Sequence, residues 1–223
     1  MNINNIYNNN EIVIKDINEI INEKNIENKI KYIYNIYDKM LTKNENEIIM
    51  NYKIGKYEKI RIFGDKFVEN NKGNFQMIIN GNIYELNSFY NIKNEKENEI
   101  LEVKLKQIKD VTNISYMFSG CSLLTKLADI SKWRTNKITD MSFILEDCSE
   151  LLALPDISNW NTNNVTNMRA MFNKCSKLSS LPDISNWNTN NVTTIAVMFQ
   201  GCSLLTELPD IGCFTLILIF CLI

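Results

Sequence analysis

Four cysteines, Cys121, Cys148, Cys175 and Cys202, follow one another at a constant interval of 27 residues. Trp133, Trp160 and Trp187 keep the same interval and are the only tryptophans; Pro155, Pro182 and Pro209 keep it too and are the only prolines. The segment Leu154–Ser176, LPDISNWNTNNVTNMRAMFNKCS, has close copies on both sides at that offset. Self-similarity at a period of about 20 to 50 residues marks stacked-repeat architectures, in which each unit covers its apolar face with its neighbours. The expectation is an α/β solenoid in which no unit is stable alone.

Within one unit two patterns alternate. Val165, Met168, Met171-Phe172 and Cys175 step by three and four, which predicts a short helical turn. Leu178, Leu181 and Ile184 follow with a denser spacing that predicts a short extended strand. Pro182 biases its predecessor toward extended geometry, and Asp183 favours a local turn through its own side chain. An Asn-Thr-Asn-Asn run then makes the corner. Stacking aligns equivalents into ladders: Val111, Ile138, Val165 and Val192 in one, Phe118, Leu145, Phe172 and Phe199 in another.

Three of these ladders are candidate sites. The cysteines Cys121, Cys148, Cys175 and Cys202 invite a metal or redox reading, yet free cysteine commonly packs as a small hydrophobe, and parallel columns point their Cβ atoms alike instead of at each other. They read as a structural ladder. Trp133, Trp160 and Trp187 either close the edge of the apolar layer or form an exposed aromatic stripe. Asp129, Asp156 and Asp183, with Asp210 next in the column, would repel unless each accepts amide hydrogens in its own turn. They read as turn caps or as a surface for a basic partner or a cation. The aspartates and tryptophans together are the candidate interaction surface.

The remaining chain divides by composition. Residues 1–10 are Asn-rich and predicted disordered. Residues 11–45 carry amphipathic spacing for short helices that pack on their own domain or serve a partner. Residues 46–99 predict a small β-rich cap domain, with a hairpin over 75–86 because Asn80-Gly81 separates two apolar runs. The repeats span 100–211, with ILEVKLKQIKDVTNIS (100–115) as a degenerate first coil. Residues 212–223 depart from the repeat as an apolar tail ending in LILIFCLI, either the frayed end of a shortened array or a strand covering the last coil. That tail is a candidate for self-association.

Composition excludes more than it specifies. There is no histidine among the 223 residues, which removes the commonest general bases and metal ligands. The seven glycines make no phosphate-binding loop, and no two cysteines make a C-x-x-C. No enzymatic activity, cofactor or metal is expected. A formal net charge of −2 predicts no nucleic-acid partner. No run reaches the ~18 apolar residues of a membrane span, and the N-terminus lacks a secretory pattern. The expected location is cytoplasmic, with reduced thiols.

The unit L-x-x-L-P-D-I-S-N-W-N-T-N-N-V-T-N-M-x-x-M-F-x-x-C-S resembles the BspA-like leucine-rich-repeat family over about residues 100–211. The resemblance implies a right-handed leucine-rich-repeat solenoid with short parallel strands, whose sheet face recognises protein. The second coil departs from the unit with Ala128 for Pro and Ile144-Leu145 for Met-Phe. Two functional expectations follow: a non-enzymatic protein–protein interaction module whose partner is unidentified, and, as the alternative, a cell-surface adhesin or antigen.

Overall fold

In the computed structural model the described residues are 47–207, except 94, 96–98 and 129. The predicted disordered and helical segments at 1–45 and the apolar tail at 212–223 lie outside them. Among the described residues seven strands form: β1 Glu47–Lys53, β2 Lys59–Arg61, β3 Phe75–Ile79, β4 Asn82–Glu85, β5 Phe89–Asn91, β6 Ile100–Gln107 and β7 Leu124–Ala128. Among the described residues one helix, α1 (Asp65–Asn71), links β2 to β3, and a single 3-10 turn spans Ile130–Lys132.

In β1 every second residue, Ile48, Met50 and Tyr52, is buried, the alternation of a strand with one face on a core. The strand lies between β6 and β7 and runs antiparallel to both, with Met50 opposite Val103 on one side and Leu127 on the other. The full sheet has the order β4-β3-β6-β1-β7, and β2 pairs with β5 separately. Asn80 (φ 50°) and Gly81 (φ 77°) make the turn between β3 and β4, where a two-residue hairpin needs left-handed backbone.

This architecture corrects the expected right-handed α/β leucine-rich-repeat solenoid. Every pairing between the named strands is antiparallel, and α1 precedes the repeats. Beyond Lys132 the described repeats hold only turns, bends and single-residue parallel bridges, which join Asn113 to Asp140, Asp140 to Asn167 and Asn167 to Thr194. Of the segment read as a degenerate first coil, Ile100–Gln107 is β6, and β1 separates it from β7. Repeat-to-repeat bonding begins instead at Thr112, whose carbonyl accepts from Thr139 N at 2.8 Å.

The expected helical turn is absent because its amide hydrogens go elsewhere. Met168, Ala170, Phe172 and Lys174 donate to Thr194, Ala196, Met198 and Gln200 in the next repeat, at 2.7–3.0 Å. Amides between them close tight turns, as Asn173 N to Ala170 O and Cys175 N to Phe172 O. Facing alternate amides sideways requires left-handed backbone at two places per repeat. One column is Tyr116, Phe143, Ala170 and Val197, with φ 53–60°; the other is Gly120, Asp147, Lys174 and Gly201, with φ 57–79°. Such angles are uncommon for bulky and β-branched side chains, so packing and inter-repeat bonds must hold them there.

Side chains of equal shape then stack. Phe172 and Phe199 lie 5.4 Å apart and 2° from parallel, Trp160 and Trp187 6.0 Å apart and 3° from parallel. Helix α1 and its leading loop cover the first repeat. Gly64 N donates to Met117 O at 3.1 Å, and Asn71 Nδ2 donates to both Phe67 O and Asn113 O at 3.1 Å. Phe63 packs on Phe118 and Phe75 on Trp133, so the core continues from sheet to repeats.

Candidate interaction surface

The cysteine column is interior. All four thiols are buried and free, and Cys148, Cys175 and Cys202 donate Sγ–H to Phe118 O, Leu145 O and Phe172 O at 3.0–3.2 Å. Burial pushes the Cys121, Cys148 and Cys175 thiols far above their ordinary range and Cys202 up to about 11. Cys121, Cys148 and Cys175 are therefore expected to resist a maleimide at neutral pH in the native protein and to react fully in urea, read by mass spectrometry. Fast native labelling of all three would overturn their placement. The same shifts give stability an alkaline limit. Unfolded thiols ionise near ~8.5 while the folded ones hold their protons, so this contribution is intact below that pH and declines as pH rises through the folded values.

The three indoles are buried as well, at 4–5 % exposure. Trp160 and Trp187 donate Nε1–H to Ile130 O and Ile157 O, and Trp133 to Gln107 Oε1. Trp160 and Trp187 therefore hydrogen-bond the unit before their own and Trp133 the end of β6, and the column presents no aromatic stripe to a partner. Asp129 lies outside the described residues. Asp156 and Asp183 are exposed, and each accepts the amide hydrogen two residues on, from Ser158 and Ser185 at 2.9 Å. The Ser158 hydroxyl and then its amide hold the Asp156 carboxyl below the usual range; for Asp183 the Ser185 amide leads and the hydroxyl follows. Both carboxylates cap turns, whatever else they do.

Comparing the repeats with one another separates two kinds of exposed position. From Asp156 to Asn164 and from Asp183 to Asn191 the sequence is the same, DISNWNTNN. Its polar side chains are tied into the stack. Asn164 Nδ2 donates to Asn136 O and Asn191 Nδ2 to Asn163 O at 2.7 Å, and Thr162 Oγ1 donates to Asn188 O at 3.1 Å.

The extended segment after each cysteine also makes side-chain bonds across units, as Lys177 Nζ to Glu150 Oε1 at 2.7 Å, but its outward residues change from unit to unit. Its inward leucines, Leu124, Leu151, Leu178 and Leu205, do not change, while its outward positions do. Leu123 becomes Glu150, Lys177 and Leu204; Thr125 becomes Leu152, Ser179 and Thr206; Lys126 becomes Ala153, Ser180 and Glu207. Leu152 and Leu204 stand 59 % and 53 % exposed. Sequence reasoning that asked only what recurs passed over these positions; their signal is change between units of one period.

A family model described as Mycoplasma protein of unknown function, DUF285, matches residues 112–210, and so begins where the inter-repeat bonding begins. No curated protein and no solved structure matches the chain. Among the described residues no helix is long and apolar enough to cross a membrane.

Proposed function

We propose that the repeats act as a non-enzymatic protein–protein interaction module whose binding face is the outward side of the extended segments. The observation that carries this is selective divergence. Between the repeats that carry Cys148 and Cys175 the corner is identical, whereas the outward positions of the extended segment change and include the exposed Leu152. A constant frame with changeable outward side chains suits recognition of another protein, since hot spots need apolar anchors within a varied polar rim. The lack of histidine and the burial of the Cys121–Cys202 thiols support a role other than catalysis.

The test is a binding series on the full chain. Once a partner is captured and identified, Leu152→Asp with Leu204→Asp is expected to weaken it by about tenfold or more, a typical loss for two anchors. Asp156→Asn with Asp183→Asn keeps the capping oxygens and is expected to leave binding and melting temperature unchanged. The opposite ranking would move the site to the aspartate column. The resemblance of the unit to BspA-like repeats supports a second reading, a cell-surface adhesin or antigen. Surface biotinylation of intact cells tests it, and a chain labelled only after lysis would count against it.

A further inference from the structure

We propose that the outward face of the extended segments docks on the same face of a second copy of this chain, about a two-fold axis parallel to those segments. This rests on the interaction-module reading and names a partner for that face. A two-fold interface uses one patch twice, so the patch must complement its own reversed image. An axis between the units of Cys148 and Cys175 reverses the order of the units while each column still faces itself. Two residues after the cysteines, the column reads Leu123, Glu150, Lys177 and Leu204. Reversal sets Glu150 against Lys177 of the second copy, Lys177 against its Glu150, and leucine against leucine at both ends.

The other two columns give the same match. Five residues after the cysteines, Lys126 and Glu207 stand at opposite ends of the stack, so reversal joins opposite charges at both ends. Both side chains are exposed. Four residues after the cysteines, Leu152 comes to face Ser179, a large side chain over a small one. The Ser179 hydroxyl donates to Leu152 O of its own chain at 3.4 Å, so the covering leucine strands no polar group. Within one chain Lys177 Nζ and Glu150 Oε1 pair at 2.7 Å. The second copy lays this pair against its own reverse, which gives four charges of alternating sign. A two-fold running along the stack would keep the unit order and set Glu150 and Lys177 against like charges or against Ala153 and Ser180. Like charges across an interface are unfavourable, so the pattern selects the reversed arrangement.

The experiment is sedimentation velocity on the full chain over a concentration series, with charge reversals in the patch. The patch is small, so the parent chain is expected to show a weak monomer–dimer equilibrium in the micromolar range. Glu150→Lys alone and Lys177→Glu alone each gather four like charges at the axis and should raise the dissociation constant about tenfold or more. The two reversals in one chain restore alternation and should return it to the parent value. Mixing the Glu150→Lys chain with the Lys177→Glu chain should give a mixed dimer. Thermal melts check that each variant folds. At the rim, Lys126→Glu is a further single reversal, which Glu207→Lys in the same chain should rescue. A parent chain still monomeric at about 1 mM, where even weak specific pairs form, overturns the proposal. A dimer that the single reversals leave intact also overturns it and places self-association on another surface. A folded double reversal that stays monomeric overturns it as well. If the parent is monomeric yet Leu152→Asp with Leu204→Asp abolishes capture of a different protein, this proposal falls alone and the interaction-module reading stands.

Discussion

Gly64→Ala is expected to destabilise the protein by about 3 kcal/mol or more, at the upper end of what one added methyl usually does. The backbone is not the reason, since Gly64 sits at φ −69° and ψ 145°, which alanine adopts freely. The reason is the neighbour. A Cβ at Gly64 would lie 2.1 Å from Tyr116 O, a carbonyl that accepts from Ser119 N in a left-handed turn whose Tyr116 amide donates to Ser142 O of the next repeat. Relief requires either opening that turn or backing the Gly64 loop away. Backing away breaks the bond from Gly64 N to Met117 O and separates Phe63 from Phe118. Gly73→Ala is the control: nothing lies within 4 Å of its Cβ position, and its φ of 76° alone should cost about 1–2 kcal/mol. Urea titration distinguishes them by midpoint at constant slope. Equal stability of Gly64→Ala and the parent protein would mean that α1 and its leading loop do not cover the first repeat.

Cys148→Asp is expected to have a still larger effect and to prevent the repeats from folding at neutral pH. Cys148 is fully buried in a column with Cys121 and Cys175, and its thiol already uses the nearest acceptor, Phe118 O. A carboxylate placed there has no partner, and an unpaired buried charge costs several kcal/mol or drives the group to hold its proton. The sign of the pH dependence follows. Below the unfolded value of ~3.9 both states are protonated and the penalty is least. As pH rises past that value the unfolded state ionises first, and stability falls by ~1.4 kcal/mol per pH unit up to the raised folded value. The variant should therefore recover toward the parent protein in acid. Cys175→Ala, by contrast, removes little volume and should cost about 1–2 kcal/mol. Parent-like melting of Cys148→Asp at neutral pH would mean the column is not interior.

The ladders were legible because identical side chains at one interval must stack to be covered, and the stacked Trp160–Trp187 and Phe172–Phe199 pairs have that spacing. The hairpin turn at Asn80-Gly81 was legible because few residue pairs accept its geometry. The sheet was not. Counting back 27 residues from Leu127 reaches Ile100, but no local pattern announces that β1, from far upstream, slides in between and reverses the strand direction. The helical turn was misread for a related reason. Steps of three and four at Val165, Met168 and Met171 describe a helix equally well as a chain of tight turns whose amides point sideways. The usual marker of left-handed backbone, glycine, is missing from the column of Tyr116, Phe143, Ala170 and Val197. Among the site residues, the aspartate caps followed from side-chain chemistry, whereas the burial of the indoles depends on acceptors such as Ile130 O and Ile157 O that only the stack supplies.

Because Met141, Met168 and their neighbours donate to the following unit in one unvarying register, every internal junction is interchangeable with every other. A duplication of one whole period inside the array would meet ready-made donors above and acceptors below, and the sheet end would not register the change. An insertion of any other length would set carbonyl against carbonyl and tryptophan against asparagine along the whole remaining stack. The gene for such a chain can therefore lengthen or shorten by unequal recombination in whole units with little loss of fold. Each gain would add another row of outward residues, free to drift, to the face after the cysteines.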